Sequence, residues 1–165
     1  MIFVTVGTEL PFDRLVSIVD GWAAETGRSD VFAQIGRTDW RPKFILYEHF
    51  LDPPEFTRRL SASTIIISHA GMGSILSALQ ASKPILVMPR RAALGEHRNE
   101  HQLATAYRMK EMARIGVSFD EADLRDQLAR IDELQAGHRI APFADPKLTT
   151  AIQYFISQSS IRKPS

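Results

Sequence analysis

Apolar residues in this chain fall into short β-branched runs that alternate with stretches of helical spacing. Ile2–Val6, Val31–Ile35, Thr64–Ser68 and Pro84–Met88 are such runs, and each is closed by a glycine, a proline or a polar turn. Continuous apolar runs of this length are the pattern of strands buried on both faces. Phe44–Phe50, preceded by Pro42, reads as a further strand, and Gly116–Phe119 as a short one. Between the runs, Leu15, Val16, Ile18, Val19, Trp22 and Ala23 predict a helix over Asp13–Thr26 that Gly27 stops. Pro53 and Pro54 open a short helix near Glu55–Leu60, and another runs from the Gly71–Gly73 turn to about Ser82. Asn99–Ala113 and Glu121–Leu134 are also helical in spacing. Beyond a linker at Gly137–Pro142, a last helix over Pro146–Ser157 carries the stripe Leu148, Ala151, Ile152, Phe155 and Ile156.

Strands alternating with helices predict an α/β fold, a Rossmann-like parallel sheet with helices on both faces. The expectation is one domain over residues 1–158, followed by a frayed tail over 159–165. In such a sheet, ligands bind at the carboxyl ends of the strands beside the topological switch point. That rule sets Gly7 and Thr8, Gln34–Gly36, His69–Ser74 and the loop after Pro89 along one rim.

Composition narrows the function without choosing it. With 44% hydrophobic and 24% charged residues, the 165-residue chain has an ordinary globular composition. Its formal net charge of +1 gives no long-range basic field, and no nucleic-acid signature is present. The absence of cysteine fits a reducing cytoplasm. The amino terminus lacks the basic region of a signal peptide, and no stretch approaches the roughly 18 apolar residues of a membrane span. Membrane association is therefore expected only through a surface or a partner.

The chemistry concentrates in Thr64–Pro89 and the loop that follows. A strand that opens through His69, Ala70, Gly71, Met72, Gly73 and Ser74 into a helix aims backbone N–H groups and a positive dipole end at one spot, which suits a phosphate. Gly71 and Gly73 remove side chains where the phosphate approaches, Ser74 caps the helix or donates to phosphate oxygen, and His69 offers a ring N–H. A plain strand-to-helix turn has the same look. Arg90 and Arg91 follow the next strand and can neutralise phosphate or a carboxylated sugar. His97, Glu100, His101 and Gln102 then supply donors and acceptors at a helix start, although a solvated charged loop reads the same way. His97 and His101 stand four apart, as zinc ligands can, but no third ligand is evident. Glu9, in the first turn, is a candidate general base, with Phe12 as core and Asp13 as a helix cap.

The stretch from Ser68 to Ile75, Ser-His-Ala-Gly-Met-Gly-Ser-Ile, resembles the opening of the sugar-nucleotide box in the glycosyltransferase family 28 C-terminal domain. The continuation through Leu76, Ala78, Leu79, Pro84, Met88 and Pro89 is similar to the box of plant GT-B enzymes. Pro-Arg followed by Gly-Glu-His and Asn-Glu-His-Gln resembles small bacterial exopolysaccharide and capsule glycosyltransferases. Gly7-Thr8 through Phe12-Asp13 looks like that family's start.

The resemblance implies the donor-binding, C-terminal half of a GT-B glycosyltransferase. It implies binding of a UDP-sugar by Gly7, Thr8, Gly36, His69, Ala70, Gly71, Gly73, Ser74, Arg90, Glu100, His101 and Gln102, with no metal or other cofactor strictly required. Glu9 and His69 are the catalytic candidates, unless a partner supplies the base. It further implies inverting transfer of a hexosyl or hexuronosyl group to a lipid-linked saccharide in exopolysaccharide or capsule synthesis. A membrane-associated, acceptor-binding subunit would recruit the protein to the inner face of the membrane; the stripe on the last helix either docks that partner or packs on the chain's own sheet. Ser77 departs from the family, whose glutamate there holds the ribose hydroxyls. A non-catalytic nucleotide-sugar-binding subunit and a UDP-sugar epimerase are the alternatives, and the sugar itself is unassigned.

Overall fold

The computed structural model describes residues 1–112 and 115–137. Its strands are β1 (Ile2–Thr5), β2 (Val31–Gln34), β3 (Leu46–Glu48), β4 (Ile65–His69), β5 (Ile85–Met88) and β6 (Gly116–Val117). Its helices are α1 (Asp13–Thr26), α2 (Pro53–Ala62), α3 (Met72–Gln80), α4 (His101–Met112) and α5 (Glu121–Ala129). Short 3-10 turns cover Ala92–Leu94 and Ile131–Glu133. The last helix expected over Pro146–Ser157 lies outside the described residues.

All neighbouring strands pair parallel, in the order β3-β2-β1-β4-β5-β6. The chain winds outward from β1 to β3, then crosses back to β4 on the other side of β1. That reversal makes the β1–β4 boundary the switch point, where the loops after both strands splay apart and leave a crevice. Alternate strand residues build one apolar cluster on each face. Ile2, Val4 and Ile67 pack with α1 and α5 through Leu15, Val19, Leu124 and Leu128. Phe3, Ile66, Ile85 and Val87 pack with α2, α3 and α4 through Leu60, Ile75, Leu79 and Ala106. Each such aliphatic side chain contributes about 1.5–3 kcal/mol on burial, so the strand interiors carry the stability. The loops at their carboxyl ends are left free for chemistry.

Element ends depart from the sequence expectation where side chains capture backbone donors. The strand expected over Phe44–Phe50 is paired only at Leu46–Glu48. Asp20 of α1, 4% exposed, accepts the N–H groups of Lys43, Phe44 and Ile45 at 2.8–3.2 Å, which withdraws them from the sheet. The strand expected over Gly116–Phe119 stops at Val117, and the Phe119 N–H goes to the Asp123 carboxylate at 3.0 Å. Helix α4 starts at His101 rather than Asn99, because the Asn99 side chain accepts the His101 N–H at 3.1 Å. The helix expected over Glu121–Leu134 ends at Ala129 and continues as the 3-10 turn. Asp13 is not a cap: Phe12 holds the N-cap position of α1 without a side-chain bond, and Asp13 is the first helical residue. Gly27 terminates α1 in the left-handed conformation, φ +66°.

Asp20 thus ties the segment before β3 to α1. Removing its carboxylate strands three N–H groups, each costing about 1 kcal/mol or more when left unpaired. Asp20→Ala should lower unfolding free energy by about 3 kcal/mol, read as a reduced urea midpoint at unchanged m value. A loss below about 0.5 kcal/mol would show that the segment holds without the carboxylate.

Candidate functional site

The carboxyl ends of β1, β2, β4 and β5, with the first turns of α2 and α3, enclose a cavity of about 580 Å³. Its lining includes Gly7, Thr8 and Glu9 after β1, His69, Gly71, Gly73 and Ser74 after β4, Arg90 after β5 and Gln102 of α4. The structure therefore brings together nine of the sequence-derived site residues. Gly36, Ala70, Glu100 and His101 do not line it. Gly36 is buried beside the first turn, where an added Cβ would meet Val6 Cγ2 at 3.1 Å. Ala70 is 1% exposed and packs in the apolar cluster. Glu100 instead holds its own loop, accepting the Ala92 and Ala93 N–H groups at 3.0 and 3.3 Å. His101 is exposed at the start of α4.

His69 is the hinge of the arrangement, in a way its motif does not reveal. Its imidazole lies between two glycines. A Cβ on Gly71 would sit 2.2 Å from Nε2, and one on Gly7 would sit 2.8 Å from Cε1. These glycines make room for the histidine ring rather than for a ligand. Gly73 alone of the motif has open space where its side chain would be. Nδ1 lies 3.3 Å from Ser68 Oγ and 3.5 Å from the Thr5 carbonyl, while Ser68 Oγ donates to that same carbonyl at 3.1 Å. With the serine proton so committed, both neighbours of Nδ1 offer lone pairs. This network assigns the ring proton to Nδ1 and leaves Nε2 an acceptor. Burial first, and then the nearby Arg90 charge, bring the His69 pKa down to about 4. The ring is therefore neutral at pH 7, and the expected N–H toward an anion is not the tautomer held here.

Positive potential comes instead from α3 and Arg90. Helix α3 has Gly71 at its N-cap with no side-chain bond, and Ser74 is its third residue rather than its cap. Its first intrahelical bond runs from the Ile75 N–H to the Gly71 carbonyl. The N–H groups of Met72, Gly73 and Ser74 precede that bond at the positive end of the dipole. Arg90 is 2% exposed. Its guanidinium donates to the Val6 carbonyl at 2.8 Å and to the Leu10 carbonyl, and it lies over the Phe12 ring at 5.2 Å. Those partners are neutral, so among the described residues this buried cation makes no ion pair. Burial opposes its charge, and Glu96 and Glu9 favour it from a distance. The Arg90 N–H donates to Gln102 Oε1 at 3.2 Å.

The loop from Arg91 to Asn99 is fastened to α1. Arg14 grips Glu96 with two bonds of 2.6 and 2.7 Å and also donates to the Pro89 carbonyl. Glu96 in turn accepts the Arg91 N–H at 2.9 Å. The same loop's His97, Arg98 and Asn99 form a second hollow with Glu9 and Leu10. Among the described residues no three His, Asp or Glu side chains converge as metal ligands. No helix among them is long and apolar enough to cross a membrane.

Sequence reasoning missed Thr5, Leu51, Pro53, Phe56 and Thr57 as lining residues and placed Gln34 only at the rim. The available signals were polar residues ending otherwise apolar strands, Thr5 and Gln34, and a helix that starts directly after β3.

Because unfolded histidine titrates near 6.5 and folded His69 near 4, the unfolded chain binds one more proton between those values. Stability is then lost as pH falls from about 6.5 to about 4 and is insensitive to this group above 6.5. His69→Gln should flatten that part of the profile in urea midpoints measured from acid to neutral pH. An unchanged slope in the variant would assign the loss to other groups.

Comparison with known proteins agrees with this geometry. The glycosyltransferase family 28 C-terminal domain matches residues 1–136. No curated protein sequence matches the chain. Among solved structures, the NMR solution structure of ALG13 is similar with a TM-score of 0.58 at 19% identity, over 92% of this chain and 93% of that one. The kitacinnamycin glycotransferase has a TM-score of 0.58 at 18% identity, over 79% of this chain and 34% of its own. The calicheamicin glycosyltransferase CalG4 has a TM-score of 0.55 at 17% identity, over 78% and 34%. This chain thus spans about a third of the length of the latter two proteins, and at these identities the likeness is one of fold, that of the C-terminal half of GT-B glycosyltransferases. Taken with the family match over most of its length, it shows that the chain belongs to the glycosyltransferase family 28 C-terminal domain family.

Proposed function

We propose that this domain binds the donor in an inverting glycosyltransferase, moving a hexosyl or hexuronosyl group from a UDP-sugar to a lipid-linked saccharide. The observation that carries the reading is the buried, unpaired Arg90 guanidinium in the same cavity as the amino terminus of α3. A buried cation without a counter-ion is costly unless an anion completes the site. The diphosphate would lie against the Met72, Gly73 and Ser74 N–H groups, with the Ser74 hydroxyl beside them. The apolar wall of Leu51, Pro53 and Phe56 suits the nucleoside.

In the reaction the acceptor hydroxyl attacks the anomeric carbon opposite the diphosphate. The bond from that carbon to the β-phosphate oxygen breaks, and its electron pair leaves with UDP. Charge develops on that oxygen, where preorganised N–H groups and a fixed cation lower the barrier most. They supply the stabilisation for which other transferases use a divalent metal, so no cofactor is invoked. The acceptor proton passes to a base. Glu9, at the shared rim of the cavity and the second hollow, is this chain's candidate. The alternative source is a membrane-associated subunit that supplies the acceptor half. That partner, and a role in exopolysaccharide or capsule synthesis, rest on the resemblance of Pro89–Gln102 to small bacterial transferases of that kind.

Millimolar UDP should raise the thermal midpoint, with a stabilisation of about 2.7 kcal/mol at a hundredfold excess over Kd. Ser74→Ala should leave the ligand-free midpoint nearly unchanged and weaken UDP about tenfold, the loss of one charge-assisted hydrogen bond. No response of the wild type to UDP or UDP-sugars removes the proposal.

A further inference from the structure

Gln34 is a polar residue where the fold asks for an apolar one. It closes β2 in register with Thr5 of β1, and Thr5 is in turn level with Ser68 of β4. Two residues earlier on the same three strands stand Phe32, Phe3 and Ile66, all within one apolar cluster. Side chains two apart on a strand share a face. Gln34, Thr5 and Ser68 therefore form a polar step at the carboxyl edge of that apolar face.

Two members of the step are satisfied internally. Ser68 donates to the Thr5 carbonyl, and Thr5 Oγ1 accepts the Gly7 N–H at 3.3 Å. Gln34 differs: it is 2% exposed, lines the cavity, and its Oε1 has no hydrogen-bond partner. Leaving such an oxygen unpaired costs about 1–3 kcal/mol, whereas leucine or methionine at this position would extend the core at no such cost. Arg90 Nε, in the same cavity, is a second buried polar atom without a partner. Unpaired groups gathered in one cavity point to a ligand that pairs with them.

The chemistry of Oε1 narrows which part of the ligand. A diphosphate at neutral pH offers only acceptors, so it cannot satisfy a carboxamide oxygen. The partner must bring an N–H or O–H. Sheet order separates the two ends of the cavity as well. Helix α2 covers the face over β2 and β1, with Phe56 packed edge-on to Phe3 at 5.4 Å, whereas α3 and Arg90 follow β4 and β5 on the other side of β1. Gln34 thus sits under the apolar wall of Pro53 and Phe56, away from the phosphate cradle. Among the other lining hydroxyls, Thr57 donates to the Pro53 carbonyl at 2.9 Å and Ser77 to the Gly73 carbonyl at 2.8 Å, and none bonds Gln34 Oε1.

We infer that Gln34 recognises the nucleoside moiety of the donor, its carboxamide oxygen accepting a hydrogen bond from an imide N–H or ribose hydroxyl. The inference rests on the nucleotide-binding reading above. The oxygen itself is enclosed in the cavity wall, and the soft terminal torsion of glutamine lets the amide rotate to present it to a ligand.

The test compares wild type with Gln34→Met, of similar length and without the amide, by ligand-free thermal midpoint and by titration with UDP and with inorganic pyrophosphate. The variant should keep or raise its ligand-free midpoint, bind UDP about tenfold more weakly, and bind pyrophosphate as the wild type does. A merely structural glutamine would instead lower the midpoint, and that result overturns the inference. So does unchanged UDP affinity, or an equal loss for UDP and pyrophosphate. A wild type that ignores UDP refutes the nucleotide reading itself, and this inference with it.

Discussion

The parallel pairing of β1 with β4 is the constraint from which the site follows. Thr5 and Ser68 are level in that ladder, so the turns after them must occupy neighbouring space at the sheet edge. Both turns carry a glycine, and the His69 ring fills the volume that the two missing side chains leave. One aromatic ring thereby fastens two loops that would otherwise move independently. It also explains why the ring is neutral: enclosed by backbone and facing Arg90, it holds a second proton only below about pH 4. An imidazolium in this place would pair two cations with no carboxylate bonded to either.

Arg90 performs the corresponding task from the third side. It reaches back across the switch point to the Val6 and Leu10 carbonyls and covers Phe12, so the loop carrying Glu9 is positioned by a residue eighty positions later. In the sequence, Arg90 and Arg91 read as able to neutralise phosphate or a carboxylated sugar. The structure shows a buried guanidinium whose geometry is set by backbone carbonyls and which lines the cavity. Such a charge is preorganised and needs no rearrangement when negative charge develops nearby. The Arg14–Glu96 grip on the loop from Arg91 to Asn99 adds rigidity without adding charge, since that pair neutralises itself.

Much of this architecture was legible in the residues. Apolar runs of about five residues closed by a glycine, a proline or a polar turn located β1, β2, β4 and β5 closely, and alternation with helical spacing gave the parallel sheet. What the residues did not disclose were contacts between segments distant in the chain. Nothing around Asp20 announces that its carboxylate takes three N–H groups from residues 43–45 and shortens β3. Glycines in a His-x-Gly-x-Gly motif look alike in sequence, yet Gly71 yields to a histidine and Gly73 to open space. Glu100 and His101 read as ligand-binding because they are polar and near a helix start. In the fold that start faces outward, and only Gln102, one residue on, turns into the cavity.

The cavity also shows how stability and function divide along a strand. In β1, β2 and β4 the first three residues are apolar and buried, and they bind the helices to both faces. The polar residues Thr5, Gln34 and Ser68 come only at the carboxyl ends, where substitution by an apolar side chain would lengthen the core. Keeping them there costs folding free energy, most plainly at Gln34, whose oxygen goes unpaired. A fold that needed only to fold would have closed this edge with leucine. That it closes with an amide, two hydroxyls and a buried guanidinium is what the proposed donor site requires of this edge and what folding alone does not.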